Sequence, residues 1–256
     1  MRTWRLSRAG ELGLIRVGND AGLDVAVLPN GSVFAIEHRD DRGTTRINQV
    51  LGAPIGGGIA RVLLRIRAPG GASTCEVQGP RARVRLGAAD DRIVWEGTTR
   101  GIAHRVTLCL LPTRSAWLWR IDITNMGNSP AQTDAILLQD LGLGAPEFVS
   151  NNEAYASQYI DHHVARDAPF GPVVMSRQNL AQHGLHPWVM HGCLDGATGF
   201  ATDAMQVFGP AYRDASALRL AMGDALPNRR VQHEVACAAI QSRSVTLQPG
   251  ACRGRR

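Results

Sequence analysis

The chain has 256 residues, 44% of them hydrophobic and 20% charged, which is typical of a soluble globular protein large enough to bury a full core. The formal net charge is +6, and all 28 basic residues are Arg. Because the arginines are scattered and aromatic residues make up only 5% of the chain, we expect no nucleic-acid surface. No apolar run approaches the roughly 20 residues of a membrane-spanning helix, so we expect no membrane partner.

Short apolar or alternating runs recur along the chain, separated by turns rich in Gly, Pro and Asn. The clearest is 117–125, where large apolar residues alternate with smaller or polar ones before a turn at 126–130. Strands are predicted at 23–28, 32–37, 61–67, 84–86, 93–96, 104–111, 117–125, 133–138, 173–175, 189–194, 199–204, 232–239 and 244–247. No long amphipathic helix is predicted, and pieces such as 152–159 are expected to form one or two helical turns. The pattern predicts an all-β fold with few short helices, arranged as one large antiparallel β-sandwich.

The cysteines give no sign of a disulfide framework or a zinc site. Their number is odd, and none belongs to a C-x-x-C pair. They are Cys75, Cys109, Cys193, Cys237 and Cys252. The first five residues lack the apolar core of a signal peptide. We therefore expect reduced, mostly buried thiols in a cytoplasmic protein.

Three other features invite a functional interpretation, and each has a plainer one. The imidazoles of His162, His163, His183, His186 and His191 lack the spacing of a helical metal site, so we expect no metal. The glycine run at 56–58 lacks the Lys-Ser/Thr of a phosphate-binding loop, so we interpret it as a turn and expect no cofactor. Trp95, Trp117 and Trp119 lie in predicted strands, where core packing is the expected role.

The end of the chain breaks the strand pattern. Residues 245–250 have the pattern of a strand followed by a turn, yet 251–256 do not alternate as a returning strand would. A hairpin without its second arm would leave an unpaired edge. We therefore interpret residues 1–256 as a single β-sandwich domain that is truncated at its C-terminus.

Several segments resemble one known family in their order along the chain. They are residues 30–38, 47–52, 139–143, 152–162, 176–179 and 200–203. The most specific is the phrase Asn-Glu-Ala-Tyr-Ala-Ser-Gln-Tyr at 152–159. They resemble the N-terminal β-sandwich domain of inverting glycoside phosphorylases of the cellobiose phosphorylase type, in particular β-1,2-oligoglucan phosphorylases and the matching region of cyclic β-1,2-glucan synthases.

The resemblance implies a larger enzyme plan than this chain can hold. In the family, a β-sandwich domain is followed by a helical linker and an (α/α) barrel, whose Asp acts as general acid while phosphate attacks the anomeric carbon. This sequence has no room for that barrel, so we predict no catalytic residue here. None of Asp140, Glu147, Glu153 or Asp161 is assigned the role of the acid.

The resemblance also implies where this domain would contact sugar or the barrel, and it is compatible with a homodimer in which one subunit lends a loop to its partner's pocket. The candidate contacts are Asn152, Glu153, Tyr155, Gln158, Tyr159, Asp161, His162, Arg177, Gln178 and Asn179. Amides and carboxylates pair with sugar hydroxyls, and aromatic rings stack on sugar rings. The same side chains could instead satisfy backbone groups in long connections or at an interface between domains.

Two functions follow from the sequence. The first is a carbohydrate-associated domain of a β-glucan phosphorylase-like protein, inactive alone, with the (α/α) barrel in the same or another polypeptide and a β-glucan oligosaccharide as partner. The second is a stand-alone carbohydrate-binding or partner-docking module without catalysis. Specific sugar binding by a stable monomer would favour the second; exposed apolar surface and self-association would favour the first.

Overall fold

The computed structural model describes residues 13–53, 58–209, 225–232 and 235–255. These residues form eighteen strands and three short helices. The strands are β1 (Ile15–Gly18), β2 (Leu23–Val27), β3 (Val33–Asp40), β4 (Gly43–Arg46), β5 (Arg61–Ala68), β6 (Gly71–Gln78), β7 (Val84–Ala89), β8 (Arg92–Thr99), β9 (Ile102–Leu110), β10 (Trp117–Asn125), β11 (Ala131–Asp140), β12 (Ile160–Asp167), β13 (Gly171–Gln178), β14 (Trp188–His191), β15 (Ala197–Asp203), β16 (Ala236–Ser242), β17 (Val245–Leu247) and β18 (Cys252–Arg255). The helices are α1 (Pro146–Asn151), α2 (Glu153–Gln158) and α3 (Met205–Phe208). The predictions of an all-β fold and few short helices are confirmed.

The prediction of one large β-sandwich is wrong. The strands form four small antiparallel sheets, arranged like the blades of a four-bladed β-propeller. Their orders are β1-β2-β3-β4, β18-β10-β9-β8-β7, β15-β16-β11-β5-β6 and β12-β13-β14, with β17 also paired to β11. Alternation within a strand shows which side chains are buried, but it does not show which strands pair or where one sheet ends. The same pattern therefore fits a sandwich or several small sheets.

The six-stranded sheet lies at the centre of the core. All seven residues of β16 are buried, and its run of Ala and Ile is the kind of sequence found in strands covered on both faces. On one side, Val62 and Leu64 of β5 join the main hydrophobic cluster. On the other side, Leu63 packs in a second cluster with Phe208 of α3. This sheet therefore joins the two apolar clusters of the described residues.

The tryptophans of β8 and β10 pack in the core, as predicted. Trp95 is fully buried, and its ring centre lies 5.6 Å from that of Trp119. The Trp95 indole N–H donates to the carbonyl of Gly31 at 3.0 Å. Gly31 has a φ of +85°, and an added Cβ would lie 3.1 Å from the Trp95 nitrogen. Glycine is required at this turn because the backbone must pass directly beside the indole.

Residues 47–51 form no strand, and side chains satisfy several of the backbone groups in and around them. Asn48 accepts from the Ile36 amide at 2.8 Å and donates to the Phe34 and Val50 carbonyls. The amides of Gln49 and Val50 donate to one carboxylate oxygen of Asp140, at 2.9 and 2.7 Å. An extended segment satisfied in this way needs no partner in a sheet.

The predicted unpaired edge at the end of the chain is also wrong. After the turn at 248–251 the chain enters β18, which pairs antiparallel with β10 and not with β17. β17 pairs with the start of β11. The two arms thus separate into different sheets, which local alternation could not indicate.

None of the five cysteines, all of which lie in the described ranges, forms a disulfide. Cys193 and Cys237 are buried, Cys75 and Cys109 are half-buried, and Cys252 is exposed. Two positions of the glycine run, Gly56 and Gly57, lie outside the described residues. Within the described ranges, no helix is long and apolar enough to cross a membrane.

Candidate functional site

Helix α2 and the residue after it carry both of the tyrosines that were predicted as site residues. Tyr155 is 48% exposed, and its ring meets Tyr159 edge-on at 4.8 Å between centres. The Tyr159 hydroxyl donates to the Tyr155 hydroxyl at 2.7 Å, and this hydrogen bond is the main cause that raises the pKa of Tyr159. Residues four apart on a helix face the same side, so the segment presents an aromatic pair at the surface. Gln158 on the same segment is exposed.

Strand β12 begins directly after this aromatic pair and carries Asp161. Its carboxylate accepts from the side-chain amides of Asn179 at 2.5 Å and Gln232 at 2.8 Å. The backbone N–H of Asn179 donates to the Tyr159 carbonyl at 2.8 Å. These bonds fix the start of β12 beside the end of β13 and place Asp161, Asn179 and Tyr159 together.

The strand pairing in the three-stranded sheet brings residues of β12, β13 and β14 together on one surface, which was not predicted from the sequence. Asp161 pairs with Arg177, and Arg177 pairs with Trp188 on the edge strand β14. The next row on the same face is His163, Met175 and Met190. Directly paired residues point to the same side of a sheet. We call these six residues the open face; they are Asp161, His163, Met175, Arg177, Trp188 and Met190.

The open face combines an aromatic platform with charged groups. Trp188 is 68% exposed and Met190 58% exposed. Arg177 is exposed and forms no ion pair within the described parts of the chain. A planar guanidinium with five donors beside an exposed indole is suited to hold a hydroxyl-rich ring by stacking and hydrogen bonds. Trp188, Met190 and His163 were not predicted as site residues; the alternation of Trp188, Val189, Met190 and His191 was the available signal.

Four of the predicted site residues have internal roles. The side chain of Gln178 is fully buried and donates to the carbonyls of Gly142 and Ala156. His162 is 2% exposed and bonds to the Ser176 hydroxyl at 2.9 Å. Asn152 donates to the Phe148 carbonyl at the junction of α1 and α2. The carbonyl of Glu153 accepts from the Gln49 side chain. Gln178 and His162 are buried, whereas Asn152 and Glu153 are half-buried; these bonds hold α2 and β13 in position.

Asp140 has the features of a structural carboxyl. It is fully buried, and burial raises its pKa to about 6, although the Val50 and Gln49 amides oppose the shift. A buried carboxyl with a raised pKa can indicate a general acid. Here the carboxylate accepts from the amides of residues 49–50, and neither of its oxygens is accessible to a substrate. Its environment therefore supports a role in folding. Among the described residues, no group of three or more His, Cys, Asp or Glu side chains could hold a metal ion.

Comparison with known proteins connects this geometry to a family. The profile of the SOGP N-terminal domain matches residues 26–254, which is most of the chain. The chain belongs to the SOGP N-terminal domain family. It is also 30% identical over 227 residues to a 1,2-beta-oligoglucan phosphorylase of Listeria innocua serovar 6a, covering 88% of this chain and 20% of that protein. The family resemblance predicted from the motifs is confirmed.

The share of the relative that is matched shows that this SOGP N-terminal domain corresponds to one part of a longer protein. It spans about a fifth of the length of the curated relative, so the match is to one domain of a phosphorylase-type protein. A polysaccharide lyase of known structure matches 91% of this chain and 31% of its own, with a TM-score of 0.55 and 11% identity. At that identity the likeness is one of fold alone.

Proposed function

We propose that this chain is a carbohydrate-associated domain that holds β-1,2-linked glucan on its open face and performs no phosphorolysis alone. The observation that carries the proposal is the cross-strand row of Asp161, Arg177 and Trp188, with its indole 68% exposed. Tyr155, Gln158, Tyr159 and Asn179 extend the polar and aromatic surface beyond this row. The relationship to a 1,2-beta-oligoglucan phosphorylase supports glucan as the ligand class.

The residues of this surface are proposed to have two different roles in sugar binding. Trp188 supplies a flat apolar surface for a sugar ring, whereas Arg177, Asn179 and Asp161 exchange hydrogen bonds with its hydroxyls. Phosphorolysis is proposed to need a helical barrel from the same or another polypeptide. A cytoplasmic location is part of the proposal, because five free thiols suit a reducing compartment.

Calorimetric titration of the purified chain with β-1,2-glucooligosaccharides, cellobiose and phosphate tests the proposal. We expect saturable binding of the β-1,2-linked sugar, and Trp188→Ala should weaken it about 10-fold, which corresponds to about 1.4 kcal/mol. Met126→Ala is the matched control, because Met126 is 66% exposed but lies in the turn between β10 and β11. It should leave the affinity unchanged. Absence of glucan binding by a folded sample, or an equal loss in both variants, would contradict the proposal.

A second candidate function is partner docking through the same edge. Leu185 and Leu194 flank β14 and are 43% and 57% exposed, so they add apolar area to that of Trp188 and Met190. Contiguous apolar surface of this kind often marks a protein interface. Sedimentation of the free chain separates the two functions: concentration-dependent self-association without sugar binding would favour an apolar face that contacts the helical barrel, as expected of a domain that works with that barrel.

A further inference from the structure

A cavity of about 680 Å³ lies apart from the predicted site residues, none of which lines it. Its wall takes residues from each of the four sheets: Leu23 of β2, Trp119 of β10, Leu137 of β11, Ile240 of β16 and His191 of β14. The volume is within the range of pockets that bind small molecules. Because all four sheets meet there, the cavity is a built feature of the fold.

The wall is mostly apolar. Aliphatic side chains and the indoles of Trp117 and Trp119 form most of it, and its two permanently charged residues, Asp40 and Arg42, are exposed. The Asp40 carboxylate is engaged by the amides of Arg42 and Gly43. The other polar lining side chains are four histidines and the side chains of Thr45, Ser115, Gln182 and Ser242. A charged ligand group would therefore meet no buried Arg, Asp or Glu among the described lining residues.

Two buried side chains in this wall have polar atoms without partners. The indole nitrogen of Trp119 and both ring nitrogens of His191 make no hydrogen bond to any described part of the chain, and the two residues are 8% and 5% exposed. An unsatisfied buried donor or acceptor is costly and calls for a partner. Burial lowers the pKa of His191 to about 4, so its imidazole is neutral near neutral pH and offers one donor and one acceptor.

We propose that this cavity binds an uncharged, largely apolar small molecule that carries a hydroxyl or carbonyl group. The aliphatic and indole wall holds the apolar body. The ligand oxygen accepts from the Trp119 N–H or exchanges a hydrogen bond with His191. The cavity shares Trp188 and Met190 with the open face. The proposal rests on Trp119 and His191, which are not part of that face, so it does not depend on the glucan proposal.

Fluorescence titration of the full chain with N-phenyl-1-naphthylamine, an uncharged apolar probe, tests the proposal. We expect a saturable signal that 1-octanol displaces, with octanoate and octylammonium at least about 10-fold weaker because each would bury a charge. Absence of a saturable signal from folded protein, or equal displacement by octanoate, would overturn the proposal. This comparison uses the unaltered protein and so does not depend on any variant folding.

A pair of variants locates the site. Trp119→Phe keeps an aromatic wall but removes the N–H, and should weaken 1-octanol about fivefold. Met126→Ala changes an exposed residue that does not line the cavity and should leave octanol affinity unchanged. Circular dichroism checks that each variant is folded. Equal octanol affinity in folded Trp119→Phe and unaltered protein would refute the hydrogen bond between the ligand and the Trp119 N–H.

Discussion

Replacing Asp134 with Ala should lower the free energy of unfolding by about 3–5 kcal/mol, the largest loss we expect from one substitution. Asp134 is 1% exposed and binds Arg65 through two hydrogen bonds of 2.6 and 3.0 Å. It also accepts from Arg67 at 2.9 Å. Removing the carboxylate leaves the Arg65 guanidinium buried without compensation. Urea denaturation monitored by tryptophan fluorescence measures the loss.

Asp122→Ala is the control for this prediction, since Asp122 pairs with Arg120 at 2.9 Å on the surface. Exposed pairs contribute about 0–1 kcal/mol, so this variant should unfold almost like the unaltered chain. Combining Asp134→Leu with Arg65→Met should recover much of the loss, because no buried charge then lacks its carboxylate. Equal stability of Asp134→Ala and Asp122→Ala would show that the buried pair is not required.

The buried side chains of His191 and Asp140 should change the free energy of unfolding in opposite directions as the pH falls. Burial lowers the pKa of His191 from 6.5 to about 4, with a smaller contribution from His162. As the pH falls from 6.5 towards 4, the unfolded state takes up this proton first, so the His191 contribution to stability is lost. Burial raises the pKa of Asp140 from 3.8 to about 6. As the pH falls from 6 towards 3.8, the folded state takes up that proton first, so stability is gained.

One pKa unit corresponds to about 1.4 kcal/mol, so each shift amounts to about 3 kcal/mol and the two nearly cancel. His191→Phe should therefore become more stable as the pH falls from 6.5 to 4, whereas Asp140→Asn should become less stable. Urea midpoints measured across this range on both variants and the unaltered chain test the prediction. Parallel pH profiles for the two variants would contradict it.

Strand positions were most predictable where one face is apolar and the other is not. The limits predicted for 117–125 agree with β10, because its large apolar residues alternate without interruption. β12 was missed, since a buried polar residue, His162, occupies an inward position and conceals the alternation. The conformation of residues 47–51 was not predicted, because the sequence does not show that Asn48 and Asp140 bond to backbone amides here.

The candidate site was predictable only in part. The polar residues at 161, 177 and 179 lie together, as their clustering suggested. Their neighbour Trp188 could not be found, because its place beside Arg177 depends on how the connection at 179–187 returns β14 to β13. Tertiary pairing of that kind is decided by packing and not by local sequence pattern.

The position of β11 has a consequence for how the protein is made. β11 lies between β5, which precedes it, and β16, which comes close to the end of the chain. In a growing polypeptide that has emerged only as far as β15, the edge of β11 that later pairs with β16 therefore has no strand partner. Unpaired strand edges in partly synthesised chains promote association with other molecules, and long-range pairing is slow. Production in cells should accordingly depend on chaperones and improve when translation is slowed by cooling.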